Sequence, residues 1–134
     1  MREILEIRVR ITGEQRVQGC TGGAGMVLFD GTADSAFFHG VILPGGVDTQ
    51  KEEHGVRSLS ARYLLEGTDA AGQHCRIFIE NNAVLPAPGA EDAPPMHTQP
   101  RVFTDSAALQ WLETAPLDGL LYPAADGVRI CILG

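Results

Sequence analysis

The chain has 134 residues, with 10 Lys and Arg together against 17 Asp and Glu, for a net charge of −7. That length holds one core of ordinary size, and the acidic balance argues against a nucleic-acid backbone or an anionic membrane surface, both of which recruit clustered cations. A hydrophobic share of 44% fits a globular chain, and 16 glycines without a collagen-like period predict many turns and short elements.

The amino-terminal residues carry charges throughout, with no apolar core of signal-peptide length. No apolar run approaches the ~18 residues of a membrane span. Cys20, Cys75 and Cys131 are odd in number, widely spaced and without a CxxC pair. They read as buried reduced thiols, not as a disulfide framework or zinc site. These features predict a cytoplasmic protein.

Ile4 to Thr12 alternates, with Leu5, Ile7, Val9 and Ile11 against Glu6, Arg8, Arg10 and Thr12, the period of a half-buried strand. Gly13 and Glu14 predict a turn. Val17 to Asp34, dense in glycine around Met26–Phe29, predicts a bulged or interrupted strand. Phe37 to Leu43 is a further apolar run ended by Pro44-Gly45-Gly46. Leu59–Glu66 and Cys75–Glu80 alternate on either side of the turn residues 69–72, predicting a hairpin. Pro86 to Pro100 holds five of the eight prolines and reads as a long surface loop. Asp105 or Ser106 is placed to cap one helical turn reaching Leu112. Leu117–Tyr122 and Val128–Leu133 flank a turn at 125–127 and form a closing hairpin. Seven or more short strands and one short helix predict an all-β domain over residues 1–134, a barrel or a sandwich.

Recognised catalytic signatures are missing. Gly22-Gly23-Ala24-Gly25 lacks the GxGxxG spacing and a following Gly-Lys-Ser/Thr, so it reads as a bulge and not a phosphate cradle. There is no GxSxG elbow and no HExxH. Asp48–His54 offers carboxylates and an imidazole, but consecutive charges after a breaker read as a solvated turn, and no metal or cofactor is expected. His39, His74 and His97 lack partner spacing. What remains are polar residues inside strand patterns: Asp48 after a Gly-Gly corner, Arg62 within an apolar strand, Glu80 and Asn81 at the end of the next, and the sole Trp, Trp111. An Arg62–Glu80 cross-strand ion pair and a core Trp111 are the plainer readings of the same residues.

Gly40-Val-Ile-Leu-Pro-Gly-Gly-Val-Asp48, Ser60-Ala-Arg-Tyr63, Asp69-Ala-Ala-Gly72 and Ile77-Phe-Ile-Glu-Asn81 stand in an order that resembles an uncharacterised bacterial and fungal family. It is a domain-of-unknown-function family, number three-two-three-seven of that series. Pro100-Arg-Val-Phe103 and Gln110-Trp-Leu112 resemble its closing stretch, so the likeness covers roughly residues 20 to 133. Gln110 and Glu113 depart from it, where an aromatic and Asn are usual. The resemblance implies a single antiparallel, calycin- or lipocalin-like β-barrel and carries no activity with it.

Three readings stay open. The first is an enzyme of isomerase or proton-transfer type acting on a small carbonyl or carboxylate compound in the barrel. Asp48 is then its acid or base, Arg62 holds an anion, and Tyr63, Glu80, Asn81 and Trp111 contact the ligand. The second is a non-catalytic barrel that binds a small organic ligand with the same residues. The third is a structural or assembly protein. Strand parity sets Arg62 opposite the apolar Leu59, Ala61, Tyr63 and Leu65, so an inward Arg62 requires apolar faces packed outward in a homo-oligomer.

Overall fold

The structure, a computed structural model of the chain, describes residues 1–85 and 95–134. Its strands are β1 (Glu3–Gln18), β2 (Gly22–Asp34), β3 (Phe38–Ile42), β4 (Val47–Glu53), β5 (Val56–Asp69), β6 (His74–Leu85), β7 (Met96–Thr104), β8 (Asp118–Ala124) and β9 (Gly127–Leu133). A 3₁₀ helix at Gln110–Glu113 lies between β7 and β8. Every pairing is antiparallel, and β1 pairs with both β9 and β2, so the sheet closes on itself. The fold is the expected all-β antiparallel barrel with one short helix.

Eight positions form the barrel wall, because β3 and β4 share one. Both run between β2 and β5, β3 against their carboxy-terminal parts' ladder and β4 against the amino-terminal part of each. The Pro44-Gly45-Gly46 breaker therefore does not end the wall. It extrudes a short blister, with Gly45 at φ 111°, while Leu43 N–H still bonds the Leu64 carbonyl and Phe29 N–H the Gly46 carbonyl. Residues 48–54, expected as a solvated turn, are mostly β4. Their hairpin to β5 is the two-residue turn His54-Gly55, both at positive φ (52° and 77°), the geometry of a primed hairpin turn.

β1 also departs from expectation. Gly13 and Glu14 do not turn the chain; Ile11 pairs with Phe29 and Gly13 with Leu28, leaving Thr12 as a bulge, and the strand continues to Gln18. The bulge sits here and not at Gly22–Gly25, where the register of β2 is unbroken. One inserted residue exchanges the two faces of a strand. Leu5, Ile7 and Val9 are buried inward before it, and Glu14 and Arg16, about half exposed, take the mouth-lining side after it. β7 begins at Met96, so the predicted 86–100 loop is shorter than expected, and its residues 86–94 lie outside the described residues.

One end of the barrel is closed. Leu109 and Leu112 are buried beside Ile4, Phe38, Leu65 and Ile77, and Phe37, Trp111 and Leu117 pack against them. Ser106 holds this plug: its hydroxyl donates to Asp69 Oδ2 (2.7 Å) and accepts the Leu109 N–H (3.2 Å), capping the turn that precedes the helix. The helix's own N-cap is Leu109, with no side-chain bond, instead of the expected Asp105 or Ser106. Cys75 and Cys131 are buried as expected, but Cys20 is exposed in the β1–β2 turn.

Candidate functional site

The other end is open and differently lined. The register aligns Glu14, Val27, Asp48, Ala61, Asn81 and Pro100 across β1, β2, β4, β5, β6 and β7 in a single inward row. Asp48 and Asn81 are thus two strand spacings apart, about 9–10 Å between backbones, with only the methyl group of Ala61 between them. The next row toward the opening is Arg16, Gly25, Gln50, Leu59 and Ala83. Together with Phe29, Leu85, Met96, Leu121 and Ile130 these rows enclose a cavity of about 360 Å³. It lies within the range of small-molecule sites, and its walls are mostly apolar. A wider mouth of about 580 Å³ adjoins it, sharing Arg16, Gln50 and Leu85 and adding Gln18, Lys51 and Arg57.

A polar chain descends from mouth to cavity. Arg16 contacts the Glu14 carboxylate and donates from Nη2 to Gln50 Oε1 (2.9 Å), and Gln50 Nε2 donates to Asp48 Oδ2 (2.8 Å). Arg16 reaches across β2 only because Gly25 stands between them: a Cβ there would meet Arg16 Nη1 at 2.9 Å and its Cγ at 3.0 Å. The second carboxylate oxygen, Asp48 Oδ1, is buried with no well-formed hydrogen bond among the described residues, as are Asn81 Oδ1 and Thr98 Oγ1. Burial pushes the Asp48 carboxyl above its ordinary value; the Gln50 hydrogen bond, the Ser60 backbone N–H and the Arg16 charge oppose that rise without cancelling it.

Of the six predicted site residues, Asp48 and Asn81 meet at the cavity and the other four do not. Arg62, one residue beyond Ala61, points outward and pairs with Glu80 (3.3 Å) on the outer face. The expected convergence of Arg62 with Asp48 fails because the alternation Leu59, Ala61, Tyr63, Leu65 is the inward face. Tyr63 is inward but sits in the packed core, edge-on to Phe29 at 5.5 Å. Its hydroxyl has no partner among the described residues, and burial pushes it far above the ordinary tyrosine value. Trp111 belongs to the plug at the closed end. The cation at the cavity's mouth is Arg16, still 54% exposed, and Gln50 links it to Asp48. Alternation read from Ile4 places Arg16 outside, and Gly13 was the one sequence sign of the bulge that reverses it. Among the described residues no group of three or more His, Cys, Asp and Glu could hold a metal, and no helix is long and apolar enough to cross a membrane.

Solved structures share this fold. A protein of unknown function from Clostridium acetobutylicum ATCC 824 superposes with a TM-score of 0.78 at 23% identity, over 98% of this chain and 95% of that one. A conserved protein of unknown function from Rhodopseudomonas palustris gives 0.78 and 23%, over 98% and 93%. A beta-barrel like protein from Acinetobacter baumannii AYE gives 0.75 and 18%, over 97% and 91%. No protein of curated function matches the chain. The profile described as protein of unknown function (DUF3237) matches residues 2–119, most of the chain, which therefore belongs to that family.

Proposed function

We propose that the open half of the barrel binds a small organic molecule, mainly apolar and bearing one polar group that both donates and accepts, such as a carboxamide or a carboxylic acid, with that group held between Asp48 and Asn81. The observation that carries this reading is the pair of buried oxygens, Asp48 Oδ1 and Asn81 Oδ1, neither of them in a well-formed hydrogen bond among the described residues, in one row of a mostly apolar cavity. Buried polar atoms are ordinarily satisfied. The N–H or O–H of such a group can donate to Asp48 Oδ1 or Asn81 Oδ1 and its carbonyl can accept from the Asn81 amide N–H, while the ligand's apolar remainder lies against Val27, Phe29, Leu59 and Leu121. The test is a ligand-detected NMR screen of small ketones, aldehydes, amides and carboxylic acids, followed by amide shift mapping. Perturbations at Asp48, Leu59, Ala61 and Asn81, lost in Asp48→Asn/Asn81→Leu, support the reading. Hits that map to the outer wall, or that survive the double substitution, overturn it.

A second reading, catalysis of proton transfer, is favoured by one observation: burial raises the Asp48 carboxyl, moving a carboxylate toward the basicity a proton-transfer group needs. Asp48 then takes a proton from carbon beside the bound carbonyl, and the Asn81 amide or the Arg16 guanidinium steadies the developing oxyanion. Asp48→Asn separates the two readings. Loss of deuterium exchange into a bound ligand with affinity retained marks catalysis; wild-type binding without exchange marks a binding barrel.

A further inference from the structure

We infer that the outer face of β5, β6 and β7 is a self-complementary interface that joins two copies of this chain. Three apolar side chains stand in one outward row, Leu64, Phe78 and Phe103, paired in register. Leu64 is 38% exposed and Phe103 48%, and the two phenyl rings lie 6.3 Å apart. Scattered exposed apolar residues are ordinary, but a contiguous row framed by charges marks a contact surface.

The frame supplies the partner. Two residues toward the mouth on each strand stand Arg62, Glu80 and Arg101, again in register. Two residues toward the closed end stand Glu66 and Arg76 in register, and Asp105, whose carboxylate accepts the Arg76 backbone N–H (2.8 Å). One flank therefore reads plus, minus, plus, and the other minus, plus, minus. Alternation within a flank follows from cross-strand pairing, as Arg62–Glu80 (3.3 Å) and Arg76–Glu66 (2.7 Å) show. Reversal between the flanks does not follow from it.

A two-fold axis lying along the apolar row requires that reversal. It sets each strand against its own copy running the opposite way, so Arg62 faces Glu66, Glu80 faces Arg76 and Arg101 faces Asp105, while Leu64, Phe78 and Phe103 each meet their own copies. An axis parallel to the strands instead sets Arg62 against Arg101 and Glu80 against itself, and like charges exclude it. The pattern thus selects both the partner, a second copy, and its orientation.

Sedimentation of the full chain over a micromolar-to-millimolar dilution series tests this. Wild type is expected to approach twice 14.3 kDa with an association weakened by salt. Arg62→Glu and Glu66→Arg, both on the outer face, are each expected to weaken dimerisation at least about tenfold. An equimolar mixture of the two is expected to recover the wild-type affinity, because in the mixed dimer the two altered residues face each other as Glu and Arg in one contact and the native Arg62–Glu66 pair stands in the other. As a second measurement, Leu64→Cys in a Cys20→Ser background is expected to give a disulfide-linked dimer on mild oxidation. A wild type monomeric at every concentration overturns the inference, as do variants that dimerise unchanged, a mixture that stays monomeric, or Leu64→Cys that does not cross-link.

Discussion

Asn81→Leu is expected to stabilise the protein while emptying the cavity of one of its two polar anchors. Asn81 is 1% exposed and its Oδ1 has no partner among the described residues, so the native side chain bears the desolvation of its amide oxygen without the compensating bond. Such a group costs about 1–3 kcal/mol. Leucine has the same number and branching of side-chain heavy atoms and is bulkier only in its two methyl groups, and with a space of about 360 Å³ beside the small Ala61 these need not displace a packed neighbour. An unfolding entropy of about 2.1 cal/mol/K per residue gives roughly 0.28 kcal/mol/K for a chain of 134 residues. The expected gain is then a rise in Tm of about 4–11 °C. Urea unfolding with an unchanged m-value, with calorimetry at one fixed protein concentration, measures it. Asn81→Ala removes the same amide without refilling the space and is expected between wild type and Asn81→Leu. Destabilisation of Asn81→Leu by more than about 1 kcal/mol would refute the reasoning, since it would mean the amide is satisfied in the folded protein.

Arg16→Met removes the charge that opposes the rise of the Asp48 carboxyl and frees the Gln50 amide that bonds it; the Asp48 pKa, followed by carbon NMR of its carboxyl, is expected to move further up, and an unchanged titration would sink the relay. Tyr63→Phe deletes a buried hydroxyl without a partner and is expected to be neutral or stabilising by about 1 kcal/mol in urea unfolding, whereas a clear loss would reveal a bond the hydroxyl makes. Asp69 accepts from Ser106, Gln73 and Ala71, and these bonds hold its carboxyl below the ordinary value. Its contribution is therefore present above the unfolded pKa near 3.8 and is lost as pH falls through the lower folded value. Asp69→Asn is expected to lower stability at pH 7 and to flatten the acid limb of the unfolding profile; parallel profiles for the two proteins would count against it.

The wall of the barrel was legible wherever one face is apolar. Leu5, Ile7 and Val9, then Leu59, Ala61, Tyr63 and Leu65, then Cys75, Ile77 and Ile79 announce both their strands and their inward side. That same parity puts Arg62 outside, where it pairs with Glu80. The strand that carries the site was illegible for a physical reason. In β4 the inward residues Asp48 and Gln50 line a polar mouth, and the outward Thr49 and Lys51 meet solvent, so neither face is apolar and no alternation survives. Arg16 was hidden by the Thr12 bulge, since a strand read without its inserted residue reports the wrong face from that point on. Asn81 was found because it ends a clean apolar alternation, where an amide is out of place.

The two ends of the barrel divide the work of the sequence. At the closed end Ile4, Leu5, Phe38, Leu65, Ile77, Leu109 and Leu112 are all at or below 2% exposure, and the Ser106–Asp69 bond fixes the plug that covers them. At the open end Asp48 Oδ1 and Asn81 Oδ1 lie in a cavity with mostly apolar walls, and neither makes a well-formed hydrogen bond among the described residues. A domain's net stability is only about 5–15 kcal/mol, and unpaired polar atoms at about 1–3 kcal/mol each are a large fraction of it. Water entering by the mouth relieves part of that cost, at the expense of its own freedom. A ligand that brings its own polar group to the Asp48–Asn81 row relieves it while burying apolar surface against Val27, Phe29 and Leu121, so occupation of the cavity and stability of the fold must rise together.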